Sequence, residues 1–281
     1  MRTKVHKAIV LFGAFLFAAL MSHGQNKGCL FIIGGGERTP ALMKELVKTA
    51  DLCQTDYVVV LPMATSIPEE SIAYFSSQLK AVCNNPITSF NFNKAQADAN
   101  QSWIDSIKNA KLIYITGGDQ NKFMAVVSGT KLYGALHQAF RNGATISGTS
   151  AGAAVMSQVM LTGEERDKSS KNGFQEIRKN NTVTASGMGF ITKAIIDQHF
   201  IKRSRYNRLL GLLGDHPEKT LIGIDESTAI IVKKNRAEVV GESQVVVVSR
   251  PKKLKVFSTD KIAFKNARLS LFSAGDQFKI K

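Results

Sequence analysis

The 281-residue chain holds three cysteines and five histidines, and neither set is spaced to grip a metal. Cys29, Cys53 and Cys83 include no Cys-x-x-Cys pair. His6, His23, His137, His199 and His216 lack the close spacings of zinc ligands, so no metal is expected. Three thiols cannot all pair within one chain, and their places beside apolar runs suit buried thiols better than a disulfide framework. A nucleotide fingerprint is missing too. Gly34-Gly35-Gly36-Glu37 lacks the Gly-x-Gly-x-x-Gly spacing, and no Gly-Lys-Ser follows, so no cofactor is expected. Acidic residues are scarce, with 22 Asp and Glu against 37 Lys and Arg, a formal charge of +15. A basic surface attracts acidic substrates. The basic residues are spread along the chain rather than gathered in an aromatic-interleaved patch, so nucleic acid is not an expected partner. No internal repeat or low-complexity linker divides the chain.

What is present begins with a cationic start, Arg2, Lys4 and Lys7, followed by an apolar run from Ala8 to Met21. Its length suits the core of a signal peptide and falls short of the roughly 20 residues of a membrane span. Ser22-His23-Gly24 offers small residues two apart. The expectation is a signal peptide over residues 1–24, cleaved after Gly24, and a single α/β domain over residues 25–281. The product would be secreted or periplasmic, without a stable membrane span. Loss of Arg2, Lys4 and Lys7 lowers the charge from +15 to +12. No cysteine ends the apolar run, so a lipid anchor is not expected.

Apolar runs at residues 28–33, 57–61, 112–115 and 144–147 read as strands, and the segments between them carry helical spacing. Helices are expected over residues 40–51, 68–82, 102–109, 122–127 and 133–142, with a weak strand at 89–91. Continuous rather than alternating apolar strands imply a mainly parallel sheet flanked by helices. Beyond Arg208, runs at 221–224, 229–232, 245–249, 254–257 and 267–271 add strands, read as completing the sheet and adding a β-rich C-terminal tail.

The chemistry centres on Gly148-Thr149-Ser150-Ala151-Gly152. A strand enters a tight turn and a helix of small residues leaves it, as in a nucleophile elbow. Such a turn exposes the Ser150 hydroxyl and aims the Ala151 backbone N–H at a developing oxyanion. His199, which ends the buried-looking segment from Ala194, is the candidate base. Asp225 and Glu226 close an apolar strand, and either carboxylate could orient it. The glycine triplet at 34–36 is read as part of the active-site rim.

Four segments occur together and in order: Gly117-Gly118-Asp119-Gln120, the Ser150 elbow, Asp197-Gln198-His199-Phe200 with Arg203, Arg205 and Arg208, and Gly223-Ile224-Asp225-Glu226. In this the chain resembles the cyanophycinases and their relative aspartyl dipeptidase (dipeptidase E), over about residues 30–232. The resemblance implies a fold like the class I glutamine amidotransferases and a homodimer. It also implies a serine peptidase that cleaves aspartyl bonds, β-aspartyl-arginine among them. It assigns Ser150 as nucleophile, His199 as base, Glu226 as orienting acid with Asp225 as fallback, and Gly118 beside Ala151 as oxyanion donor. It makes Gln120, Asp197, Gln198, Arg203 and Arg205 substrate-side residues, Asp197 facing a substrate guanidinium. Two features depart from the family pattern: Asn207, and the charged insert Glu164–Asn181. The alternatives are a general aspartyl dipeptidase and a noncatalytic binding protein of the same fold.

Overall fold

The computed structural model describes residues 28–167 and 176–281. The expected signal peptide and residues 168–175 of the charged insert lie outside them. Strand β1 (Cys29–Ile33) is buried at every position, as an unbroken apolar run requires when both faces are covered. Thr39 Oγ1 accepts the Leu42 N–H to cap α1 (Pro40–Ala50), and Pro40 takes the first turn, where no N–H is needed. Then follow β2 (Val58–Leu61), α2 (Pro68–Lys80) and β3 (Ile87–Ser89). After them come α3 (Lys94–Ala99), α4 (Gln101–Asn109), β4 (Leu112–Ile115), α5 (Gln120–Val127), α6 (Lys131–Arg141) and β5 (Thr145–Thr149). These strands lie parallel in the spatial order β1-β5-β4-β2-β3. The weak strand falls two residues before its expected place. Helix α3 was not anticipated, since only Ala97 of it is buried; its one sequence signature is the capping box of Asn93 and Gln96.

Past the short helix α7 (Ala151–Ala154), β6 (Val159–Glu165) and β7 (Thr182–Ser186) pair as a two-stranded ribbon. A second sheet starts with β8 (Ala194–Gln198), which runs parallel to β9 (Thr220–Ile224) across α8 (Tyr206–Asp215). From there the chain switches between sheets. β10 (Thr228–Lys233) and β11 (Arg236–Gly241) extend the first sheet beyond β1. β12 (Val245–Ser249) returns to β9. β13 (Lys252–Val256) and β14 (Ile262–Lys265) form a ribbon, β15 (Arg268–Phe272) joins β12, and β16 (Gln277–Lys279) joins β11.

The fold is therefore α/β with mixed sheets, not a mainly parallel one: the strands from β10 to β16 all join antiparallel. The cause is the length of the connections. A parallel return needs a crossover of about a dozen residues or more, and Lys234-Asn235 between β10 and β11 leaves room only for a hairpin. Alternation along β1 divides the interior. Leu30 and Ile32 face one core with Ile113, Ile146 and Ile196, while Phe31 and Ile33 face another with Tyr114, α1 and α2. A third cluster joins α8 to the second sheet. All three thiols are free: Cys29 is buried, Cys83 half-buried and Cys53 exposed, so the expectation of burial fails for Cys53. Burial pushes the Cys29 thiol up to about 11. Among the described residues no helix is long and apolar enough to cross a membrane.

Candidate active site

Strand β5 delivers Ser150 at φ 52°, ψ −107°, a conformation that costs a non-glycine residue energy and persists only where its surroundings enforce it. The enforcement is steric. A Cβ on Gly148 would sit 2.3 Å from the Gly152 carbonyl oxygen, and one on Gly152 would sit 2.4 Å from that of Ile115. The Ser150 N–H donates to Ile33 O at 3.1 Å, which pins the turn to the end of β1. Ala151 opens α7, so its N–H has no preceding helical turn to bond. Gly117 lies against Ser150, and Gly118, at φ 133°, is held where a Cβ would be 2.1 Å from Ala64 O.

His199 arrives from the second sheet, just past β8, with a left-handed φ of 49°. Its N–H donates to Gly34 O at 2.8 Å. Its ring lies over Gly35, where a Cβ would meet Cε1 at 2.2 Å, and a Cβ on Gly36 would meet that of Glu226 at 2.7 Å. The glycine triplet is thus a shelf under the imidazole and its acid. Nε2 lies 2.8 Å from Ser150 Oγ and Nδ1 lies 2.7 Å from Glu226 Oε1. With the ring proton on Nδ1 donated to the carboxylate, Nε2 is left to accept the serine hydroxyl. Burial lowers the His199 pKa below its ordinary value, opposed by the hydrogen bond to Glu226.

Glu226 lies in the connection Asp225–Ser227 that carries the chain from β9 to β10, from one sheet to the other. Asp225 does not reach His199. Its Oδ1 accepts the Lys202 N–H at 2.8 Å and its Oδ2 accepts the Ser243 hydroxyl at 2.7 Å. The fallback is thereby corrected: the neighbouring carboxylate holds the turn that follows His199, together with the β11–β12 connection.

The expected substrate-side residues fare differently. Asp197 is wholly buried and bound by Arg208, whose Nε donates at 2.8 Å and whose Nη2 also bonds the carboxylate. The Gln198 N–H adds a further bond at 2.8 Å. A carboxylate so enclosed does not face a ligand guanidinium, and that expectation is corrected. Arg205 Nη1 donates to Gln198 O at 2.7 Å and lies 3.6 Å from Asp197. Burial and then the Arg208 charge push its pKa down to about 10. Arg203 is exposed, and its charge acts on His199. Gln198 is buried, with Oε1 lacking a partner. Gln120, the first residue of α5, spends its amide on Leu161 O at 2.9 Å and so ties the β6 ribbon to the site. The role of Arg208 was missed, because nothing in a linear reading pairs a helix residue with a strand-end carboxylate eleven positions earlier. Among the described residues no three His, Cys, Asp or Glu side chains converge as metal ligands would.

Comparison with known proteins gives concordant matches. The model of peptidase family S51 fits residues 30–240. A cyanophycinase of Geminocystis herdmanii is 35% identical over 182 residues, which cover 62% of this chain and 64% of that protein. The chain thus matches just under two thirds of that relative's length. A cyanophycinase of Thermosynechococcus vestitus is 28% identical over 273 residues, 92% of this chain and 81% of that one. The crystal structure of a peptidase from an acI-B1 actinobacterium superposes with a TM-score of 0.67 at 22% identity, over 92% of this chain and 99% of that one. A putative peptidase E protein of Listeria monocytogenes gives 0.56 at 13% identity, over 77% and 99%. At these identities the two structures show likeness of fold.

Proposed function

This chain belongs to peptidase family S51, and we propose that it is an exported serine peptidase acting on aspartyl peptide bonds. What carries the proposal is the unbroken hydrogen-bond chain from Ser150 through His199 to Glu226. As Ser150 Oγ attacks the scissile carbonyl carbon, its proton passes to His199 Nε2. The carbonyl π electrons move onto oxygen, which takes hydrogen bonds from the Ala151 and Gly118 N–H groups. Collapse re-forms the C=O bond and expels the amine, which takes the proton from Nε2. Water then repeats the attack on the acyl-enzyme with His199 as base, releasing the carboxylate product and free Ser150. Glu226 holds the Nδ1 proton in place and offsets the charge of the transient imidazolium.

The substrate in this reading is a peptide or polymer containing aspartate, with cyanophycin and its β-aspartyl-arginine unit foremost. Gln120, Gln198, Arg203 and Arg205 border it, the arginines being suited to a bidentate grip on carboxylates. The same proposal includes a fold like the class I glutamine amidotransferases, one domain over residues 25–281 freed by cleavage after Gly24, a secreted or periplasmic location, and a homodimer. One observation favours a second reading, a general aspartyl dipeptidase: Asp197, the expected acceptor for a substrate guanidinium, is already taken by Arg208. Incubation with cyanophycin, β-aspartyl-arginine and α-aspartyl dipeptides, with products identified by mass spectrometry, separates the two. Release of β-aspartyl-arginine from the polymer is expected. Cleavage of α-aspartyl dipeptides alone transfers the assignment to the dipeptidase. No cleavage, with Ser150 inert to a fluorophosphonate probe, overturns both.

A further inference from the structure

Arg38 stands two residues past Gly36, immediately before the residue that caps α1, and it is only 7% exposed. Its guanidinium carbon lies 4.8 Å from the Tyr74 ring centroid and 5.7 Å from that of Tyr114. Nε donates to Gln78 Oε1 at 2.8 Å, and the Gln78 amide donates back to Arg38 O at 3.1 Å. None of these partners carries negative charge. No ion pair among the described residues involves Arg38. The remaining residues, 1–27 and 168–175, contain no Asp or Glu to supply one. Two phenol faces and an amide ease the burial of a cation but do not neutralise it, and a buried charge without a counter-charge is costly.

Tyr114 connects this position to the residue before Ser150. The Tyr114 phenol interacts with Thr149 as well as with Arg38. Thr149 directly precedes Ser150, and its buried hydroxyl has no hydrogen-bond partner of normal geometry. The Arg38 cation and the Thr149 hydroxyl therefore meet one phenol near the ends of β4 and β5. Ligands of open α/β sheets gather at such carboxyl ends. Arg203 and Arg205 follow His199 in sequence, and their charges act on its ring.

We propose that Arg38 is a specificity-determining residue that binds a carboxylate of the substrate, its guanidinium fork and the Thr149 hydroxyl supplying the donors. The inference rests on the peptidase reading above and adds to it a second anionic subsite, on the α2 side of Ser150. The carboxylate is either one borne by the aspartyl residue or the one at the chain end of the peptide.

The test uses the whole protein and whichever of cyanophycin, β-aspartyl-arginine or α-aspartyl dipeptides the wild type hydrolyses, with p-nitrophenyl acetate as an uncharged substrate. Arg38→Met keeps an apolar stem of similar length; Arg38→Lys keeps the charge without the fork. Arg38→Met should raise KM on the aspartyl substrate at least about tenfold, as loss of a buried charge contact does. Ester hydrolysis and fluorophosphonate labelling of Ser150 should stay within about twofold of wild type, and Arg38→Lys should recover part of the loss. Substrates amidated at one carboxylate at a time identify the source: the one on which wild type and Arg38→Met become equal lacks the group that Arg38 holds. Equal losses on ester and peptide, or no loss on either, would overturn the proposal while leaving the peptidase reading intact. A wild-type protein that neither labels nor cleaves would overturn both. Should Arg38→Met fail to fold, Arg38→Lys decides alone, by its KM on the peptide against its rate on the ester.

Discussion

The two halves of the site are built by different physics. On the Ser150 side, position is enforced by close packing of backbone on backbone. Gly148, Gly152 and Gly118 each stand where a single methyl group would collide with a carbonyl oxygen. On the His199 side, position is enforced by charge and hydrogen bonds: Asp197 with Arg208, Asp225 with Lys202 and Ser243, Glu226 with the imidazole. A steric enclosure announces itself in local sequence, because glycine must stand wherever backbone meets backbone, even when the opposing carbonyl, as with Ile115 against Gly152 and Ala64 against Gly118, comes from a distant element. A charge network depends on residues brought from separate elements, and its members are recognisable only once those elements pack. The first half should therefore fail through geometry, and the second through uncompensated charge.

The comparison breaks most completely at Ser150, the proposed nucleophile. Ser150→Ala should cut kcat by on the order of 10⁴ to 10⁶ with an unchanged unfolding midpoint, measured by steady-state hydrolysis and urea denaturation. Retention of most activity would move the nucleophile elsewhere. Next comes the acid. Glu226→Gln should lower kcat by about 10⁴ with little change in KM, the scale seen when an orienting carboxylate is lost. Asp225→Asn should lower it far less, because Asp225 holds a turn rather than the ring. A reversed ranking would contradict the contact between Glu226 and His199.

Arg208→Ala strips the Asp197 carboxylate of its main partner inside the protein. A loss of about 3–5 kcal/mol of stability is expected, read from urea unfolding. Replacing both members with apolar residues, Asp197→Leu with Arg208→Met, should restore most of it, since no charge is then left buried. If the double variant stays as unstable as the single one, the network acts through packing and the contrast between the halves weakens. Gly35→Ala tests the contact between them. A methyl 2.2 Å from the imidazole must push the ring off Ser150, and a displacement near 1 Å costs about 10²-fold in rate. An unaltered kcat would mean that the loop yields instead.

The smallest expected effect is on pH dependence. In the proposed mechanism His199 must be neutral to act as base, so kcat/KM should fall as pH drops through its pKa. Burial has moved that pKa below the ordinary 6.5, so activity should persist to more acid pH than an unperturbed histidine permits. The Glu226 hydrogen bond opposes the shift, and Arg203 reinforces it. Glu226→Gln should therefore move the acid limb lower still, and Arg203→Ala should move it slightly higher. Opposite displacements in a pH–rate series would show that another group controls the limb.

Local sequence carried the steric half. The glycine and alanine frame around Ser150, the unbroken apolar strands and the proline-started helices are short-range features, and each element appears within a few residues of its expected place. Helix α3 escaped because a short polar helix with one buried residue has almost no periodicity to read. Only the tertiary structure decided the charged half. It chose Glu226 over its neighbour, because adjacent residues in one connection point different ways and their targets lie on other elements. It turned Asp197 inward to Arg208, and it placed a cation without an acid, Arg38, against Tyr74 and Tyr114. It also made the sheets mixed where a mainly parallel sheet with a β-rich tail was the expectation, because the short connections after β9 permit hairpins and sheet switches but no crossover. Packing at short range is written in the order of the residues, whereas the partner of a buried charge is set by which distant elements come together.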